Sequence, residues 1–152
     1  MFEAKVKEMG IQLPPVVKPV AAYVPVVRAG EFLYISGQLP MVDGELKYTG
    51  QMSPDRPESD GYEAAKICAI NCLSAIKSIT GSLDKVEQIV KLTGFVSSVP
   101  EYPKQPQAIN GASELLLQIF GEAGAHSRSA VGVSGLPLNA LVELEMIVKL
   151  SK

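Results

Sequence analysis

An α+β fold, one sheet with two long helices on one of its faces, is predicted by three features of this 152-residue sequence. Two segments, 60–80 and 105–120, repeat apolar residues at helical spacing. Five others, 23–28, 32–36, 86–99, 128–134 and 141–150, carry strand patterning and are mostly bounded by Gly or Pro turns. After a short first helix the order is roughly β-β-α-β-α-β-β. No repeat, low-complexity tract or linker interrupts it, so residues 1–152 are read as a single domain.

Phe2–Met9 reads as an amphipathic helix stopped by Gly10. Pro14, Pro15 and Pro19 keep the following chain extended, so 1–17 is an N-terminal helix plus an extended arm. Tyr23–Arg28 is a strand that Pro25 confines to an edge or a bulge. Ala29-Gly30-Glu31 turns into Phe32–Ser36, which ends at Gly37; Asp43-Gly44 signals a hairpin. Asp60 is placed as N-cap of the first long helix. Its stripe Tyr62, Ala65, Ala69, Cys72, Leu73 and Ile76 stops at Gly81. Val86–Val99 is a long strand with apolar groups on both faces. Gln105–Phe120 turns Ile109, Leu116, Ile119 and Phe120 inward and stops at Gly121. Arg128–Ser134 is a strand, and Gly135-Leu136-Pro137 turns the chain. Leu141–Leu150 then places Val142, Leu144, Met146, Val148 and Leu150 on one face, with Glu143, Glu145 and Ile147 on the other.

Two helices cover one sheet face. At about 25 cal/mol per Å² of apolar surface, the other face is better buried against copies of the chain, which predicts a closed homo-oligomer. Cys68 and Cys72, four apart on one helix face, read as small buried apolar residues suited to a reducing compartment. No window approaches 18 uncharged apolar residues, and Met1–Gly10 lacks a signal-peptide core, so a cytoplasmic protein with no membrane contact is expected.

A net charge of −2 and a pI of about 5.5 weigh against a nucleic-acid partner. The single histidine, His126, leaves no room for a metal cluster, and no nucleophile elbow, P-loop or dinucleotide fingerprint occurs. Neither a metal nor a cofactor is expected. What remains is a site built from arginine, carboxylate, hydroxyl and amide groups. Arg128 opens its strand with no acid closer before it than Glu122. Its rigid fork matches a carboxylate, although composition alone favours a structural pair with a distant glutamate.

Arg128-Ser129-x-Val131-x-Val133, then Leu136-Pro137 and Val142-Glu143-Leu144-Glu145, resemble the closing signature of the RidA (YjgF) family. So do Tyr23 with Leu33-Tyr34-Ile35-Ser36-Gly37-Gln38, Val90-Lys91-Leu92-Thr93-Gly94-Phe95-Val96, and Ile109-Asn110-Gly111-Ala112, in family order. Each is weak alone; together they span about residues 18–150 and leave the N-terminal helix outside. The resemblance implies a chorismate-mutase-like two-layer fold with a mixed sheet and a homotrimer with ligand clefts between subunits. It also implies hydrolysis of amino-acid-derived imines and enamines, such as 2-aminoacrylate, to keto acids and ammonia. By the same resemblance Arg128 grips the substrate carboxylate and Glu143 positions the attacking water. Tyr23, Ser36 and Asn110 line the cleft, and Gly37 lets backbone approach the ligand.

The family often has a cysteine where this chain has Ala130, so only a backbone role is left there. His126-Ser127 replaces the usual Pro-Ala; His126 is expected at the surface, with a cleft position as the alternative. If the strands at 128–134 and 141–150 form a simple hairpin, Arg128 lies near Ile147 and roughly 13 Å from Glu143. A shared site would then need long reaching side chains, a shifted register or a neighbouring subunit. Two other functions compete: a trimeric binder of small keto acids without turnover, and an endoribonuclease, which the acidic balance and absent basic surface oppose.

Overall fold

The computed structural model describes residues 1–19 and 21–152. Its elements are α1 (Phe2–Glu8), β1 (Val26–Ala29), β2 (Phe32–Gln38), β3 (Met41–Val42), β4 (Glu45–Leu46), α2 (Glu58–Thr80), β5 (Val86–Ser97), α3 (Gln105–Phe120), β6 (Ser127–Val133) and β7 (Val142–Leu150). One mixed sheet has the order β1-β2-β7-β5-β6, in which only β5 and β6 run parallel. The Asp43-Gly44 turn closes the small β3–β4 hairpin, with both residues at positive φ.

β7 shows how the core forms. Val142, Leu144, Met146, Val148 and Leu150 are buried on the helix side, while Glu143, Glu145, Ile147 and Lys149 alternate to the open side. Above them lie Ala65, Ala69, Cys72 and Leu73 of α2 and Ile109, Leu116 and Ile119 of α3. The two long helices approach closely because Gly61 and Gly111 remove side chains from the crossing. A Cβ at Gly111 would stand 1.9 Å from the Tyr62 carbonyl oxygen. Cys68 and Cys72 are buried, and their thiols point at the Val142 and Leu144 carbonyl oxygens of β7. Burial pushes both thiols well above the ordinary cysteine range.

α1 is fastened by exchanged caps. The Phe2 and Glu3 amides donate to the Asp84 carboxylate, and Glu3 accepts from the Leu83 amide and pairs with Lys77. Phe2 stacks at a tilt on Phe120, centroids 4.8 Å apart. No described helix is long and apolar enough to cross a membrane.

Several sequence expectations are corrected. β1 begins at Val26, because Pro25 has no N–H to give the ladder, and Tyr23 lies in the bend before it. The cap position of α2 is Pro57; Asp60 sits inside the first turn, where it accepts from Arg56 Nε at 3.0 Å. The long strand stops at Ser97. β6 and β7 do not form a hairpin: β5 lies between them, because the α3 crossover returns β6 parallel to β5.

The open sheet face stays apolar within one chain. Val27, Phe32, Tyr34 and Val131 each leave between 37% and 52% of their surface exposed. A hollow of about 300 Å³ on this face is bordered by Tyr34, Ser36, Lys91, Thr93, Glu145 and Ile147.

Candidate active site

The seven residues singled out from the sequence fall into two groups. The first lies at the β6 edge. Along β6, Arg128 and Ala130 face α3, while Val131 faces the open side. The Arg128 guanidinium donates from Nη1 to Ser113 Oγ at 3.1 Å and from Nη2 to the Pro106 carbonyl oxygen at 3.2 Å. Pro106, Asn110 and Ser113 are spaced i, i+4, i+7, so Asn110 lies on the α3 stripe between the two residues that hold the arginine. Arg128 has no carboxylate partner among the described residues.

Ser113 was missed from sequence. Its signal was a hydroxyl three residues after Asn110, on the same face of the helix. It also meets His126 Nε2 at 2.8 Å, while His126 Nδ1 lies 2.6 Å from the Gly124 carbonyl oxygen. His126 is thus partly buried and doubly hydrogen-bonded, rather than free at the surface.

The second group gathers around β2 and β7. β2 bulges between Ile35 and Gln38, against Met146 and Leu144 of β7. The bulge sets Gly37 beneath the Glu143 side chain, where a Cβ would stand 2.0 Å from Glu143 Oε1. Burial first, and then the charge of Glu145, raise the Glu143 carboxyl above the ordinary glutamate value. Ser36 latches the preceding bend: its hydroxyl donates to the Val24 carbonyl at 2.6 Å and its amide to that of Pro25 at 2.9 Å. Tyr23 and Gly37 border one hollow of about 60 Å³ with Lys18 and Leu138, two residues not singled out from sequence. Leu138 takes φ 56°, a left-handed conformation that costs a branched residue energy.

Replacing Gly37 with Ala displaces only the end of a flexible side chain. Folding should therefore survive, with a melting temperature within a few degrees, while the Glu143 carboxylate is driven off its position. Turnover in the assay described below should fall about tenfold or more, and unchanged turnover would sink this placement.

Within one chain the two groups do not meet. Arg128 is level with Leu92 of β5, whereas Glu143 is level with Phe95, so they are two strands apart and offset by three residues along the sheet. They also project from opposite faces. No cluster of three or more His, Cys, Asp or Glu able to hold a metal occurs among the described residues.

The family profile described as "YjgF/chorismate_mutase-like, putative endoribonuclease" matches residues 3–150. The chain belongs to the RidA (YjgF) family. Among RidA relatives, Protein TCP17 of Trypanosoma cruzi is 41% identical over 149 residues, covering 97% of this chain and 93% of that one. A protein of Dermatophagoides farinae named 2-iminobutanoate/2-iminopropanoate deaminase is 31% identical over 139 residues, covering 91% and 93%. The crystal structure of a "putative endoribonuclease" from Shewanella oneidensis superposes with TM-score 0.94 at 35% identity, covering 99% of both chains. That superposition covers nearly the whole of both chains.

Proposed function

We propose that this RidA-family protein hydrolyses reactive imines and enamines derived from amino acids, giving 2-keto acids and ammonia, at sites completed between copies of a homotrimer. The observation that carries this reading is Arg128: a guanidinium anchored only by neutral acceptors keeps its charge for a ligand carboxylate. The name of the Dermatophagoides farinae relative points to the same chemistry. The exposed apolar sheet face supports assembly, because packing it against another copy would bury it.

The chemistry asks little of the protein. An iminium carbon is already electrophilic. Arg128 holds the substrate carboxylate, and Glu143 takes a proton from water as its oxygen adds to that carbon. The same carboxyl returns that proton to nitrogen; as the C–N bond breaks and ammonia leaves, the hydroxyl gives its proton to the freed Glu143 carboxylate and the carbonyl forms. No electrons are transferred and no covalent enzyme intermediate is needed.

Glu143 works as the carboxylate, so activity is present above its pKa and is lost as pH falls through it. Because that pKa is raised in the ligand-free protein, the acid limb of the kcat/KM profile should lie at higher pH than for an ordinary glutamate. Glu143→Gln should remove the limb together with turnover while sparing keto-acid binding. A limb unchanged in the residual activity of that variant would assign it to another group.

The direct test measures ammonia or keto-acid release from imines generated in situ by an amino-acid oxidase or dehydratase. Wild type should accelerate release over the spontaneous rate, and Arg128→Ala should lose at least about a hundredfold in kcat/KM. No acceleration on any imine would favour a keto-acid binder instead, in which Arg128 is an anchor without catalysis.

A further inference from the structure

We propose that His126 and Ser113 are positioning residues that lock the Arg128 guanidinium in place and thereby set the affinity of the anion site; the second half of this inference rests on reading Arg128 as the carboxylate anchor. The hydrogen-bond directions follow from chemistry. The Gly124 carbonyl can only accept, so His126 Nδ1, 2.6 Å away, carries a proton and donates it. In the neutral ring Nε2 is then an acceptor, and the only hydrogen available to it at 2.8 Å is that of the Ser113 hydroxyl. With its hydrogen turned to the imidazole, Ser113 Oγ offers its lone pairs to Arg128 Nη1–H at 3.1 Å. A hydroxyl free to rotate would spend part of its time aiming its hydrogen at the guanidinium; here the histidine prevents that.

The base of this relay is rigid. Gly124 belongs to the 3-10 turn Gly121–Gly124 after α3, where a Cβ would stand 2.4 Å from the Leu116 carbonyl oxygen. Ser113 itself is 8% exposed. The Pro106 carbonyl provides the second hold on Nη2, and two holds define the plane of the fork. No carboxylate stands in the chain of contacts from Gly124 to Arg128, so the relay orients the cation without discharging it. A glutamate in the same place would orient Arg128 equally well but compete with the ligand. Ordering the fork before the ligand arrives removes part of the entropy cost of binding.

The protein has only three arginines, Arg28, Arg56 and Arg128, which makes the guanidinium directly observable by nitrogen NMR of arginine-labelled, ligand-free protein. Arg128 should show slow rotation about its C–N bonds. Ser113→Ala and His126→Leu should each speed it about tenfold or more, whereas His126→Gln, whose amide oxygen can accept from Ser113, should restore it. Arg56, tied to Asp60 at 3.0 Å, is the internal control and should not change in any variant. Unaltered Arg128 rotation in both disrupting variants, or His126→Gln behaving like His126→Leu while Arg56 and the melting temperature hold, would overturn the relay.

A second arm titrates 2-oxobutanoate. Its Kd should rise about tenfold in the two disrupting variants and return to near wild type in His126→Gln. An intact relay by NMR in a wild-type protein that binds no 2-oxobutanoate would overturn the carboxylate-anchor reading and leave the relay standing.

Discussion

A one-to-one mixture of Arg128→Ala and Glu143→Gln proteins, each inactive alone, should regain about a quarter of wild-type deamination once subunits have exchanged. The expectation follows from the sheet. Arg128 sits on the edge strand and faces α3; Glu143 sits two strands away and faces the open side. If each site takes its arginine from one copy and its glutamate from the next, a site works when the first copy carries only the Glu143 change and the second only the Arg128 change. Random assortment gives each condition half the time. Mass spectrometry of differently tagged copies would verify exchange. Exchange without recovered activity would mean that the two groups do not combine across the interface, and the composite-site reading would fail.

Gly111→Ala should be the most destabilising small substitution in the chain. The added methyl would meet the Tyr62 carbonyl oxygen at 1.9 Å and its carbon at 2.8 Å, both backbone atoms of α2 that cannot swing aside. The helix pair must separate, which strips contacts from Ala65, Ile109 and their neighbours. A cost of about 3 kcal/mol is expected, which lowers the melting temperature by roughly 10 °C at fixed protein concentration. Gly135→Ala, where no atom lies within 4 Å, is the control and should change little. The damage should extend to function, because Asn110 and Ser113 flank Gly111 on α3. A melting temperature unchanged by Gly111→Ala would mean that the crossing is looser than described.

Much of this architecture is legible in local pattern. α3 runs over the residues expected because Pro106 suits a first turn and Gly121, at φ 58°, ends the helix. The alternation of β7 separates core from open face residue by residue. What is not legible depends on distant partners. The pattern of β6 is the same whether its neighbour is β5 or β7, so periodicity leaves a hairpin between β6 and β7 open. The bulge that sets Gly37 under Glu143 is one extra residue, and a glycine there reads equally as the end of the strand. Arg128, Asn110 and Ala130 could be gathered from motif resemblance, but Ser113 and His126 are joined only by the fold of the Gly121–Gly124 turn. The two-group layout of the site is a property of strand order, which single-sequence periodicity does not encode.

The placement of sulfur in this molecule has its own consequence. Both thiols are enclosed between α2 and β7, held in the protonated form and aimed at backbone carbonyls, and the position after Ser129 is occupied by Ala130. No thiolate is available for peroxide, maleimide or disulfide exchange to attack while the chain is folded. In a RidA-family protein built this way, alkylating reagents would report unfolding rather than the active site.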